Sequence, residues 1–158
     1  MNPPFAFPTI DILSRRFLER FEPRQRGHIA NLFLAPVGMG MTEPHRIVSA
    51  VRQGLLKQSV KCKRWGNLAT VQRNEHIIQR IDAHFSEALD YARWAIQWDR
   101  LSYPEKQRVK AERWMAQQPA TERQTKYLRS LGYDGEVESK LHASELIDRL
   151  LKEGRNFV

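Results

Sequence analysis

The sequence contains a single cysteine, Cys62, and no long apolar run. One cysteine cannot form an intramolecular disulfide or build a cysteine-based zinc site, so a reducing compartment is expected. No stretch approaches the roughly 18 apolar residues that a membrane-spanning helix needs. Residues 1–5 lack the charged leader and apolar run of a signal peptide. The prediction is a cytoplasmic protein without a membrane partner.

Motifs that build catalytic, metal or cofactor sites are also scarce. His76 and His84, eight residues apart on one predicted helix, would be separated by about 12 Å, too far to share a metal ion. The segment Gly38-Met39-Gly40 lacks the third glycine and the lysine of a phosphate-binding loop. No paired-carboxylate or HExxH motif is present, although a triad assembled from distant residues would leave no such motif. We therefore expect no enzyme activity, no catalytic residues, no metal and no cofactor.

Positive charge is abundant, and it is concentrated in the middle of the chain. The net charge is +8, and the segment from Arg46 to Arg80 carries +7 of it, from eight basic residues and one acidic residue. Residues 1–45 carry a net +1, and residues 81–158 are neutral. Such a concentration of charge says little about the fold but favours a polyanionic partner.

Apolar residues recur at helical spacing along most of the 158 residues, so the sequence predicts an all-α fold. The longest predicted helix covers about residues 70–100, with an apolar stripe suited to packing along its length. Ser102 and Thr121 each begin a capping box, and Gly132 is suited to ending a helix. These features predict a basic helical domain over residues 1–118 and a small two-helix appendage over residues 121–154.

The C-terminal segment carries a short pattern of its own. The seven-residue segment YLRSLGY (residues 127–133) is followed by ASELIDRLL (residues 143–151). This arrangement resembles the helix–extended loop–helix pattern of SAP and HeH-type modules. The resemblance implies a two-helix unit of the kind found on proteins that handle DNA or RNA. The loop departs from the family pattern because it is acidic, and a plain apolar mini-core without nucleic-acid contact is the alternative interpretation.

The basic segment is the predicted binding region. Helical periodicity fails over residues 59–67, which predicts a basic loop or short hairpin that contains Trp65. Basic side chains beside an aromatic ring suit phosphate neutralisation combined with base stacking. The predicted nucleic-acid-binding residues are Arg52, Lys57, Lys61, Lys63, Arg64, Trp65, Arg73 and Arg80. The alternative is a solvated basic face with Trp65 buried. A helix-turn-helix is disfavoured, because the predicted connection of about twelve residues exceeds the usual three or four.

Trp94 and Trp98, one turn apart on the predicted long helix, are candidates for a protein interface.

The leading hypothesis is a non-catalytic accessory protein that binds DNA or RNA. The alternative is a helical adaptor that binds a protein partner, for example within a ribonucleoprotein complex, and homo-oligomer formation is also open. Membrane binding through a basic amphipathic helix is disfavoured, because the most basic stretch is not predicted to be one continuous helix.

Overall fold

The computed structural model describes the backbone of residues 7–155 and the side chains of residues 9–154. Within that range every regular element is a helix, which confirms the all-α prediction. No helix there is both long enough and apolar enough to cross a membrane. The helices are α1 (Phe7–Leu18), α2 (Pro23–Gly38), α3 (Pro44–Arg64), α4 (Leu68–Ala83), α5 (Phe85–Arg100), α6 (Tyr103–Gln117), α7 (Glu122–Ser130) and α8 (Lys140–Arg155).

The first of two compact units covers residues 1–101, and α5 is its central helix. Helices α1, α2, α3 and α4 all pack on α5. Three alanines of α5 are fully buried, at positions 88, 92 and 95, and their small side chains let the neighbouring helices approach closely. The ring of Phe33 meets the ring of Tyr91 at 5.0 Å and that of Phe17 at 5.6 Å. Apolar burial of this kind is the main source of stability in the unit.

The predicted helix over residues 70–100 is in fact two helices. It breaks at His84, whose backbone angles, φ −125° and ψ 47°, are not helical. The buried residues on either side of the break, Ile81 and Ala88, are seven residues apart, or about two helical turns. Because the apolar register continues across the break, periodicity cannot reveal it. Phe85, an apolar residue just after the break, is 44 % exposed.

Trp94 of α5 is a core residue, which corrects its predicted place in a protein interface. It is only 6 % exposed, and its indole Nε1 donates a hydrogen bond of 2.9 Å to Asp11 of α1. Its ring stacks on Tyr91 at 5.0 Å and on the half-buried Trp98 at 5.4 Å. The pair therefore packs α5 against the rest of the unit, and Trp94 cannot meet a partner unless the core opens.

Helix α3 continues to Arg64, whereas the loss of apolar periodicity from residue 59 predicted that residues 61–67 form a basic loop or a short hairpin. The buried positions Val51, Leu55 and Ser59 follow one another at intervals of four residues. Ser59 thus extends the apolar face with a polar residue, and a pattern that counts only apolar residues ends too early. Helix α2 likewise continues through Pro36 to Gly38, and Val37 is buried in this last turn.

The second unit, residues 102–158, contains α6, α7 and α8. The predicted capping boxes at Ser102 and Thr121 are both formed. A non-helical segment over residues 131–139 connects α7 to α8, and Leu128, Ala143 and Leu146 form a small buried core. Helix α6 packs against α8 and belongs to this unit. The unit therefore has three helices and begins at residue 102, whereas the predicted appendage had two and began at residue 121.

Candidate nucleic-acid interface

Helices α3 and α4 form an antiparallel hairpin that carries the basic segment. Near the turn, the buried Asn74 donates hydrogen bonds to Gln58 at 2.9 Å and to the carbonyl of Leu55 at 3.3 Å. Farther from the turn, the guanidinium of Arg52 donates to both carboxylate oxygens of Asp82, at 3.0 and 3.1 Å. Pairing at such different distances from the turn requires the helices to run alongside each other. This is a helical hairpin and not a helix-turn-helix, whose helices diverge at about 90–120°.

The turn of this hairpin is only three residues long, Trp65-Gly66-Asn67. Gly66 has φ +76°, a conformation that glycine adopts without strain. The N–H of Asn67 bonds to the carbonyl of Cys62, and that of Gly66 bonds to Lys63, the two hydrogen bonds of a Schellman motif. The Asn67 side chain then accepts a hydrogen bond from the N–H of Thr70 and begins α4. Local turn chemistry therefore fixes the end of the hairpin.

The turn displays Trp65 at the end of α3, a helix that carries four cations in its last two turns. Trp65 is 84 % exposed, so the alternative in which it is buried does not describe the structure. The four cations, all exposed and without an ion pair within the described residues, are Lys57, Lys61, Lys63 and Arg64. Lys57, Lys61 and Arg64 follow helical spacing of four and three residues, which places them along one side of the last two turns of α3. We call these five residues the hairpin tip.

The other three predicted cations lie in different surroundings. Arg52 is held by Asp82, which offsets its charge and, through hydrogen bonding first and charge second, raises the pKa of the guanidinium. Arg73 and Arg80 of α4 are only half-exposed. The structure therefore places five of the eight predicted residues toward one end of the hairpin. The charge of Arg52 is offset by Asp82, and the side chains of Arg73 and Arg80 are only partly exposed to solvent.

Arg73 also influences a histidine of α2. Burial, followed by the positive charge of Arg73, lowers the pKa of His28 below its ordinary value of 6.5. His28 is therefore neutral at pH 7 and adds no charge to the basic region. Its Nε2 atom and the Nε atom of Arg73 are buried without a hydrogen-bond partner in the described structure.

Asn74 is a positioning residue that the sequence predictions missed. It is fully buried between α3 and α4, and its two hydrogen bonds fix how the two helices are paired. A signal was present in the sequence, because Asn74 occupies a position of the buried stripe that also contains Val71 and Ile78. A single polar residue at such a position often sets the register of paired helices.

Within residues 7–155, no group of three or more His, Cys, Asp or Glu side chains is arranged to hold a metal ion. Comparison with protein-family models, with curated proteins and with solved structures finds no match to this chain.

Proposed function

We propose that the protein is a non-catalytic accessory protein that binds nucleic acid through the hairpin tip. The observation that supports the proposal is the exposed Trp65 at the end of α3, together with four exposed cations in the last two turns of that helix that form no ion pair within the described residues. Each cation that neutralises a phosphate releases condensed counterions, and this release drives binding without reading sequence. The proposal covers DNA and RNA alike.

Trp65 would supply the second part of the interaction. Aromatic side chains on single-strand-binding surfaces stack with bases at about 1–3 kcal/mol per base, largely regardless of sequence. An indole that is 84 % exposed at a fixed turn is free to stack in this way. In the free protein the exposed apolar ring is in unfavourable contact with water, and a stacked base would cover it.

The C-terminal unit has a separate place in the proposal. Its resemblance to SAP and HeH-type modules suggests a second nucleic-acid contact or a docking module. Asp134, Glu136 and Glu138 lie in the segment between α7 and α8, and all three are exposed there. Because these carboxylates would repel phosphate, docking is the better supported of the two roles.

The test is fluorescence anisotropy with labelled single-stranded DNA, duplex DNA and RNA at low and near-physiological salt. We expect the wild type to bind at least one of them with affinity that falls as salt rises. The variant Lys61→Ala/Lys63→Ala/Arg64→Ala should lose most of that binding. Absence of binding by the wild type to all three ligands near physiological salt would refute the proposal.

A matched control removes three other cations from the same unit. Arg16, Arg24 and Arg46 are exposed, and the last two have acidic neighbours, Glu22 and Glu43, within 3.6 Å. Changing these arginines to alanine alters the net charge by the same amount but leaves the hairpin tip intact. If this control loses as much affinity as the hairpin-tip variant, binding depends on net charge and not on the proposed surface.

The second candidate, a helical adaptor for a protein partner, loses one of its predicted contact residues. Trp94 is buried, and the apolar stripe of the predicted long helix packs inside the first unit. A protein partner would therefore need a different surface.

A further inference from the structure

An open groove of about 870 Å³ runs between α2 and α3 in the first unit. On α2 its wall includes His28, Leu32 and Ala35, which follow at intervals of three or four residues and so share one face, and Met39, the residue that follows the helix, continues this wall. From His28 to Met39 the wall covers twelve residues, and the eleven steps between its ends give a length of about 16 Å at 1.5 Å per residue. The groove is therefore about three helical turns long.

The groove is lined mainly by apolar side chains, although it is open to solvent. Leu32, Pro36 and Met41 line it, together with Met39, which is 85 % exposed. Methionine is flexible and polarisable, and it is used on surfaces that accommodate partners of varied shape. If a partner covered this exposed methionine and the apolar side chains beside it, the removal of apolar surface from water would favour binding.

Gly54 lies inside α3 at this groove, and nothing in the fold requires a glycine there. A Cβ atom added at position 54 would meet no atom within 4 Å, and Gly54 is not among the described glycines with positive φ. Glycine in a helix interior costs about 1 kcal/mol relative to alanine. The residue therefore destabilises α3 without a packing reason. What it does provide is space, since any side chain at position 54 would extend into the groove.

The charged side chains at the groove are all basic. Lys57 and Lys61 line it from α3, and none of its lining residues is an aspartate or a glutamate. Neither lysine forms an ion pair within the part of the chain that the structure describes. His28, at one end, is kept neutral by burial and by Arg73. An occupant that matches this surface has apolar groups facing the floor and negative charge facing the two lysines.

From this complementarity, we propose that the groove between α2 and α3 binds an amphipathic, acidic α-helix of a partner protein. Helices dock in grooves through apolar residues at positions i, i+3, i+4 and i+7, and the groove is long enough for three turns of such a helix. The apolar face of the partner helix would lie on Leu32, Pro36 and Met39, and its carboxylates would pair with Lys57 and Lys61. This proposal does not depend on nucleic-acid binding.

The probe is a labelled peptide of about 16 residues with leucines on one helical face and glutamates on the other, long enough to form a helix on binding. Binding to the full chain is measured by fluorescence anisotropy. Its location is measured by NMR with ¹³C-methyl methionine. The sequence has four methionines, of which Met39 and Met41 line the groove and Met115 lies in the second unit. We expect the Met39 and Met41 signals to shift and the Met115 signal to stay in place.

The decisive variant is Gly54→Met, which places a long side chain in the groove without changing charge. We expect it to raise the Kd of the peptide at least tenfold, whereas Gly54→Ala, its matched control, should retain binding and stabilise the fold. Lys57→Ala/Lys61→Ala should raise the Kd about tenfold, and Trp65→Ala should leave it unchanged. Helical circular dichroism and cooperative unfolding in urea verify that each variant is folded, because Met115 lies in the second unit and does not report on the first.

Three results would overturn the proposal. The first is no saturable peptide binding, or equal binding by wild type and Gly54→Met. The second is equal binding of a peptide in which lysines replace the glutamates, because charge complementarity would then be absent. The third is a wild-type dimer that Gly54→Met abolishes, because the groove would then be occupied by a second copy of this chain.

Discussion

The salt dependence of nucleic-acid binding is the most sensitive test of the hairpin tip. Lys61, Lys63 and Arg64 are exposed and have no carboxylate partner within the described residues, so each is available to neutralise one phosphate. Each phosphate neutralised contributes about 0.9 to the slope of log affinity against log salt on duplex DNA and about 0.7 on a single strand. Changing all three residues to alanine should therefore flatten the slope by about 2.7 on duplex DNA or about 2 on a single strand.

Because of this difference in slope, the ratio of the wild-type affinity to the triple-variant affinity should change strongly with salt concentration. Between about 50 and 200 mM salt, the affinity advantage of wild type over the triple variant should fall by about 40-fold on duplex DNA or about 20-fold on a single strand. Trp65→Ala should behave differently, because stacking does not release counterions. It should weaken single-strand binding by about 5- to 150-fold, or about 1–3 kcal/mol, at every salt concentration and leave the slope unchanged.

The assay is anisotropy at five or more salt concentrations with one labelled oligonucleotide of each kind. The Arg16, Arg24 and Arg46 alanine variant provides the control for net charge. If the hairpin-tip variant binds more weakly but keeps the wild-type slope, its cations do not contact phosphate and the electrostatic reasoning is wrong. If Trp65→Ala changes only the slope, the assignment of stacking to Trp65 is wrong.

Other predictions concern charge balance, packing and pH. Asp82→Asn releases Arg52 and should steepen the duplex salt slope by at most about 0.9, an effect that adding Arg52→Ala cancels. Phe17→Ala should lower the free energy of unfolding in urea by about 3–5 kcal/mol, because the ring is fully buried, while Ile12→Ala, 61 % exposed on the same helix, should change it by less than about 0.5 kcal/mol. Because the pKa of His28 is lower in the folded than in the unfolded state, stability should fall as pH drops below 6.5, and His28→Gln should reduce that loss in urea titrations.

Local signals in the sequence predicted the helix ends well where the capping chemistry is explicit. Ser102 and Thr121 begin α6 and α7 with complete capping boxes, and Gly132 has the positive φ of a helix-ending glycine. In each case the hydrogen bonds form between residues three apart, so the information is present in a short stretch of chain. Helical class could be predicted for the same reason, because amphipathic periodicity is a local property.

Tertiary packing decided the features that the sequence predictions missed. The break at His84 keeps the apolar register intact, and the buried Ser59 hides the continuation of α3 from a pattern that counts apolar residues. A buried tryptophan and an interface tryptophan look alike in sequence, and the 6 % exposure of Trp94 and its hydrogen bond to Asp11, which show that it is internal, come from the tertiary structure. The groove was not predicted because small and apolar residues of two helices create it together. Its one local sign was Gly54 in a helix interior.

The proposed surfaces share Lys57 and Lys61, so the two activities should be coupled if both exist. A peptide that pairs with these lysines removes them from the hairpin tip, and by reciprocity nucleic acid must weaken peptide binding by the same factor. Saturating peptide should therefore flatten the slope of log affinity against log salt on duplex DNA by up to about 1.8, the contribution of two phosphate contacts. This change should occur in wild type but not in Gly54→Met. If the peptide occupies the groove, as the Met39 methyl signal would report, and the slope does not change, then neither lysine contacts phosphate. The nucleic-acid surface would then consist of Lys63, Arg64 and Trp65 alone.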